Sequence, residues 1–342
     1  MDQPAFRKRP TIDDVVRLSG VSRSSVFRYL SGKTLRPALS SAIETAMRRL
    51  GYPLVDSETD QAFELAISAS LSFGSFRGYG EVVEGIIARA MERGVHVTLS
   101  PALGNMDIKG NPPVFPAERR GIVIIGKSME EEEAEARDLS AQGIPFVLVN
   151  RIPDDPSWSF VSADFRAAAR EAVNHLLSLG RRRIALWDDG SRYSRVQRDK
   201  RRGYDEALQA AGIQQDSGIL SSRDIEELDQ AVARILHSDQ PPDAWFAMDD
   251  RAAMQVIRMA HDAGLRVPED LAVIGMNDTE ASSLSRPSVS SVRIPFFEAG
   301  WTAVDILGRL IERPMEASVR VILNHQLVVR ESSSSLAARE KP

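Results

Sequence analysis

From Phe63 onward the chain alternates short apolar runs with amphipathic helices, and this alternation constrains the fold more than any other feature. Leu65–Leu71, Val95–Leu99, Gly121–Ile125 and Pro145–Val149 read as strands covered on both faces, separated by helical patterns near Glu81–Arg93 and Glu130–Gln142. A second series follows. Strands over Arg183–Trp187, near Gly218–Leu220, over Ala244–Met248 and over Leu271–Gly275 alternate with helices at Arg166–Leu179, Arg195–Ala211, Asp224–His237 and Arg251–Ala263. Parallel strands require a crossover, and each helix supplies one. Two such series predict two doubly wound α/β lobes whose strand ends face each other across a cleft, where a small ligand binds. Near the end, Phe296–Ile311 reads as an amphipathic helix, with Arg320–Leu323 and Gln326–Val329 as closing strands.

The charge distribution separates a head from this body. Residues 1–55 carry ten Lys and Arg against four Asp and Glu, or +6, and the remaining 287 residues carry 33 against 44, or -11. A basic head on an acidic body points to a polyanion-binding module. The head pattern is helical. Thr11 precedes Asp13 and Asp14, a hydroxyl cap followed by first-turn carboxylates, and Ile12, Val15, Val16 and Leu18 give the helix an apolar face that Ser19-Gly20 ends. Ser22 caps a second helix with Val26, Tyr29 and Leu30 inward, closed by Ser31-Gly32. A third, from about Ala38 to Leu50, repeats apolar residues at Ile43, Ala46, Met47 and Leu50. Two short helices joined by a tight turn make a helix-turn-helix. Arg23, Ser24, Ser25, Phe27 and Arg28 face outward from its second helix, a set able to bond base edges and phosphates in the major groove.

The run from Thr11 to Lys33, with Leu50-Gly51-Tyr52 beyond it, resembles the DNA-binding head of the lactose/purine-repressor (LacI-type) family. The resemblance implies that Arg23 and Ser24 choose operator bases, that Arg28 supports them, and that Thr11, Ser22 and Tyr52 touch phosphates, with Ser25, Phe27 and Lys33 in the same interface. Phe27 replaces a usual small hydroxyl residue. The next segment departs further, because Pro53–Ala62 carries Asp56, Glu58 and Asp60 where the family forms a hinge helix on DNA. Gln61 occupies the position of the family's minor-groove leucine, unless a shifted alignment gives that role to Leu54. Acid there opposes close DNA approach, so weak or absent wedge insertion is expected.

The resemblance continues through the body at Asn150-Arg151, His175–Ala185, Gly203-Tyr204 and Ala263–Asp278. It implies a periplasmic-binding-protein-like body that closes on an effector, and a homodimer that joins two heads on a pseudo-palindromic operator. Residue by residue it assigns Asp249, Asp250, Asn277 and Asp278 to the cleft, with Lys200 in place of a usual arginine, Tyr79 as a pocket aromatic and Asn150 on the facing lobe. Carboxylates and amides suit sugar hydroxyls, so a sugar-like effector is expected. Each residue also has a structural reading: Asp250 as a cap for a helix at Arg251, Asp278 in a turn, Lys200 on a solvated face, Tyr79 as packing and His175 as structural.

The expected organisation is a head over 1–55, an acidic linker over 56–62, a first lobe over 63–162 and 292–325, a second lobe over 163–291 and 326–332, and a flexible tail over 333–342. No cysteine is present and five histidines are scattered, so neither a thiolate site nor a metal or other cofactor is expected. Phosphate-loop, dinucleotide, zinc-protease and nucleophile-elbow motifs are lacking, which disfavours an enzyme, including a sugar-processing one. No apolar run is long enough to span a bilayer, and the expected setting is the cytoplasm, at the nucleoid. The reading is a ligand-responsive regulator of the repressor kind that binds double-stranded DNA. The alternative is a constitutive DNA-binding regulator whose cleft has lost its ligand.

Overall fold

The computed structural model describes residues 12–22, 25–26, 29, 35–50, 63–69, 78–100, 119–188, 195–214, 219–221, 225–313 and 317–334. The chain divides into two compact units, Met1–Gln61 and Ala62–Pro342.

In the first unit, α1 (Ile12–Ser19) and α2 (Pro37–Leu50) enclose a core of Val15, Val21, Val26, Ile43, Ala46 and Met47, with Val16, Tyr29 and Leu39 packed against it. Val15, Val16, Val26, Tyr29, Ile43, Ala46 and Met47 are inward positions that the helical spacing predicts, Val21 and Leu39 are additions to it, and the side chains of Ile12, Leu30 and Leu50 lie outside the described residues. Leu18 is an exception: it is 46% exposed rather than part of the apolar face. Ser22 begins the helical turn after α1. Its carbonyl accepts from the Ser25 and Val26 amides at 2.9 and 3.0 Å, and its Oγ lies 2.9 Å from Ser25 Oγ.

The second unit contains two six-stranded sheets. One runs in the order β2 (His96–Ser100), β1 (Glu64–Ala69), β3 (Arg120–Ile125), β4 (Phe146–Val149), β5 (Phe160–Ala163) and β11 (Arg320–Leu323). The other runs β7 (Ile219–Ser221), β6 (Ile184–Asp188), β8 (Ala244–Ala247), β9 (Ala272–Asn277), β10 (Ser290–Arg293) and β12 (Gln326–Val328). The two orders are equivalent, and every pairing is parallel except β10 with β12. Helices α3 (Tyr79–Arg93), α4 (Met129–Gln142), α5 (Phe165–Ser178), α6 (Arg195–Ala210), α7 (Ile225–Leu236), α8 (Asp250–Asp262), α9 (Glu280–Leu284) and α10 (Phe296–Glu312) complete the body.

Both faces of each sheet are covered. In the first sheet Leu65, Ile67, Val123, Val147 and Val161 pack with Ile86 of α3 and Val304 and Leu307 of α10, whereas Ile122, Ile124, Phe146, Leu148 and Phe160 pack with Ala136 and Leu139 of α4. Alternate residues of one strand thus serve opposite cores, which is why the strands read as continuous apolar runs.

The chain passes between sheets three times, after Ala163, after Arg293 and between Leu323 and Gln326. These positions correct the expected boundaries. Ala163 pairs with Leu323 in the first sheet, and Val292 and Arg293 stay in register with Met276 and Asn277 of the second. Strand β5 escapes the sequence reading because it is only four residues long, between Ser159 and Asp164, and the short elements α9 and β10 escape it as well. Ser333 also does not begin a free tail: it is buried, and its Oγ lies 2.8 Å from His175 Nε2 and donates to Ser290 Oγ at 2.7 Å.

Candidate functional site

Strand ends carry the residues that the sequence assigns to a cleft. On the first sheet, β4 is followed by Asn150, whose φ of 59° places it in the left-handed region that Asn tolerates better than most residues. Asn150 is 2% exposed, and neither Oδ1 nor Nδ2 has a hydrogen-bond partner among the described residues. A buried amide with nothing to bond is costly. Tyr79 opens α3 behind Gly78, is half-buried against the core, and burial raises its phenol pKa.

On the second sheet the acidic pair after β8 divides its duties, and the sequence reading of Asp250 is corrected. The helix begins at Asp250 rather than Arg251, and Asp249 is the cap, its Oδ1 accepting from the Ala252 amide at 2.9 Å. Asp250 is 1% exposed and accepts from Ser291 Oγ at 2.5 Å and from the Thr279 amide at 2.7 Å. Burial raises its pKa, and these hydrogen bonds oppose the rise. It fastens the loop after β9 to β10.

Asn277, the last residue of β9, and Asp278, the first of that loop, have φ of 107° and 55°. Asn277 is buried. The Asp278 carboxylate pairs with Arg293 Nη2 at 2.7 Å and Arg330 Nη1 at 2.6 Å, and its amide donates to Ser291 Oγ at 3.0 Å. Asp278 is therefore more than a turn residue: it joins the loop to β10 and to the segment after β12.

Lys200 also departs from its expected solvated face. It is 5% exposed, its Nζ donates to the Met248 carbonyl at 2.7 Å, and it lies 5.6 Å from the Phe165 ring centroid. One buried ammonium thus ties α6 to the end of β8 and the start of α5. Its internal partners resemble those of a structural strut.

Sequence reasoning missed Glu81. On α3 of the first lobe, its carboxyl is raised by burial and then by the negative charges of Glu298, Glu84, Asp278 and Asp250, so acidic groups of both lobes share one field. No spacing rule could have joined residues so distant in sequence. Arg293 and Arg330 were missed for the same reason. His175 bonds Ser333 as stated, and burial lowers its pKa, which fits a structural, neutral imidazole. Among the described residues no group of three or more His, Asp or Glu is arranged to hold a metal ion, and no helix is long and apolar enough to cross a membrane.

In the head, Ser22 and Ser25 lie within the described residues, as given above. Thr11, Arg23, Ser24, Phe27, Arg28, Lys33 and Tyr52 lie outside them, as do Leu54 and Gln61 of the linker.

A periplasmic binding protein-like domain model matches residues 173–333. The HTH-type transcriptional regulator CelR of Thermobifida fusca is 28% identical over 95% of this chain and 99% of its own length. Catabolite control protein A of Priestia megaterium is 28% identical over 94% of this chain and 99% of its own. The solved structure of a CelR–cellobiose complex superposes with a TM-score of 0.67 at 26% identity, covering 95% of this chain and all of that one. Paired sheets of equivalent order, facing strand-end residues and a small helical head agree with these likenesses. Over nearly its whole length the chain is similar to regulators of transcription of the LacI type.

Proposed function

We propose that this protein is a homodimeric repressor that places two heads on a pseudo-palindromic operator and answers to a sugar-like effector held between its lobes. Asn150 carries the effector half of the reading: a buried amide on a strand end, with both polar atoms unpartnered among the described residues. Such a group supplies one acceptor and two donors, as a sugar hydroxyl pair requires. The relative crystallised with cellobiose supports the same ligand class. Tyr79, Lys200, Asp249, Asp250, Asn277 and Asp278 would surround or support that ligand. Three crossings between the lobes permit hinge closure.

In the head, Arg23 and Ser24 would read bases, with Thr11, Ser22, Ser25, Phe27, Arg28, Lys33 and Tyr52 completing the contact with double-stranded DNA. A single small head has few contacts, so two on one symmetric site are needed for useful affinity.

A second reading has its own support. Lys200, Asp249, Asp250 and Asp278 all spend polar atoms on the protein itself, which favours a regulator that acts without an effector. Calorimetric titration with a sugar and sugar-acid panel, with operator affinity measured in parallel, decides between them. Saturable one-site binding that changes operator affinity supports effector control, and an unresponsive protein supports the constitutive regulator.

A further inference from the structure

A second cavity lies away from the cleft. It has a volume of about 210 Å³ and opens between α4 and the loop from β4 to β5. None of Tyr79, Asn150, Lys200, Asp249, Asp250, Asn277 or Asp278 lines it. Its apolar floor includes Leu148 and Trp158, which belong to the α4-facing core of the first sheet.

Two buried charged side chains among the residues that line this cavity are incompletely bonded. Glu132 is 5% exposed and Arg151 is 7% exposed. Arg151 Nε pairs with Glu132 Oε2 at 2.8 Å, and Arg151 Nη2 donates to the Lys127 carbonyl. Arg151 Nη1 and Glu132 Oε1 have no hydrogen-bond partner among the described residues. Leaving a charged donor and a charged acceptor unmet in a buried site is expensive. One bridging water would suffice for two atoms, yet the space is several times the roughly 30 Å³ that one water occupies.

The mouth joins the two lobes. Arg195, the first residue of α6, reaches across to Asp154 at 2.6 Å and Glu133 at 3.3 Å. We propose that this cavity is a second small-ligand site, separate from the cleft, that takes a compact neutral polyol bridging Arg151 Nη1 and Glu132 Oε1 beneath the Arg195 latch.

The lining chemistry selects that class. Arg137, Arg151 and Arg195 nearly balance Glu132, Glu133, Asp154 and Asp155, so no strong net field draws an ion. Burial raises the Glu132 pKa to about 7, against the pull of Arg151 and Arg195, and Oε1 therefore accepts or donates according to pH. Arg151 Nη1 only donates. Hydroxyl groups both donate and accept, so neighbouring hydroxyls satisfy the pair in either protonation state, whereas a carboxylate can only accept. Trp158 and Leu148 would carry the carbon skeleton.

The test titrates the full-length protein with glycerol, erythritol and D-xylose, by calorimetry and by saturation-transfer NMR on the probe. Expected is saturable binding of at least one probe, weakened about tenfold by Arg151→Lys, which keeps the charge and removes the Nη1 donor. Arg195→Ala, at the mouth, should weaken it severalfold, and it serves as the second variant if Arg151→Lys does not fold. Binding should persist in Asn150→Gly. Absence of saturable binding by every probe overturns the site, as does binding that survives both arginine substitutions. Loss in Asn150→Gly alone would assign the probe to the cleft and also overturn it. None of these outcomes involves DNA, so failure here is distinct from failure of the operator reading.

Discussion

Ser291 donates from Oγ to Asp250 Oδ1 at 2.5 Å, joining the crossover strand β10 to the first turn of α8. Ser291→Ala should leave a buried carboxylate short of one donor and cost about 1–3 kcal/mol. Urea unfolding monitored by circular dichroism reads the change, and an unaltered midpoint would show that the contact contributes nothing.

Glu132 gives a pH prediction of opposite sign to that of an ordinary paired carboxylate. Its folded pKa is raised from 4.5 to about 7, chiefly by burial. Between those values the folded chain holds a proton that the unfolded chain has released. Stability therefore falls as pH rises through this window, by at most roughly 3 kcal/mol. Glu132→Gln cannot titrate, and its stability should vary less between pH 5 and 7. If wild type and variant give parallel stability profiles, Glu132 does not titrate as described.

Helices α3 and α10 touch through glycine. A Cβ on Gly300 would lie 2.0 Å from the Val82 carbonyl oxygen, and that oxygen belongs to backbone and cannot turn away. Gly300→Ala should cost about 1–3 kcal/mol by forcing the helices apart. Gly80, in the first turn of α3, has nothing within 4 Å of its Cβ position, so Gly80→Ala should stabilise by about 0.5–1 kcal/mol. Paired melting curves that shift in the same direction would refute this packing.

Asn150 separates ligand binding from stability. Glycine accepts its left-handed backbone and removes the unpartnered amide, so Asn150→Gly should melt no lower than wild type while losing the response of operator binding to sugar. A retained response would remove Asn150 from the effector site.

Arg23 tests the head. Arg23→Ala should relax base preference by about 1–3 kcal/mol at one position of each half-site, read by selection from a randomised operator library. Unchanged preference would assign base reading to other residues.

Much of the architecture was legible because its signals are local. Apolar runs and helical periodicity located most elements of the body to within a few residues, though not β10 or α9, and Arg320–Leu323 fell where β11 lies. The short strand Phe160–Ala163 escaped because four residues carry too little pattern, although its pairing with β11 is plain in three dimensions. The sequence also placed Asn150, Asp249, Asp250, Asn277 and Asp278 at strand ends, since a residue's position on a strand follows from the run before it.

Their roles were another matter. Which of Asp249 and Asp250 caps the helix depends on one residue of register, and whether Lys200 meets solvent or the Met248 carbonyl depends on how α6 packs on α5. The Asp278 partners lie 15 and 52 positions away in the chain, at Arg293 and Arg330. Periodicity and composition determined the lobes, the charge division and the head pattern of this protein, because they record which side each residue turns toward. Tertiary structure alone decided which polar atoms are satisfied and which remain open, because hydrogen bonds over a few ångströms depend on where separate elements meet.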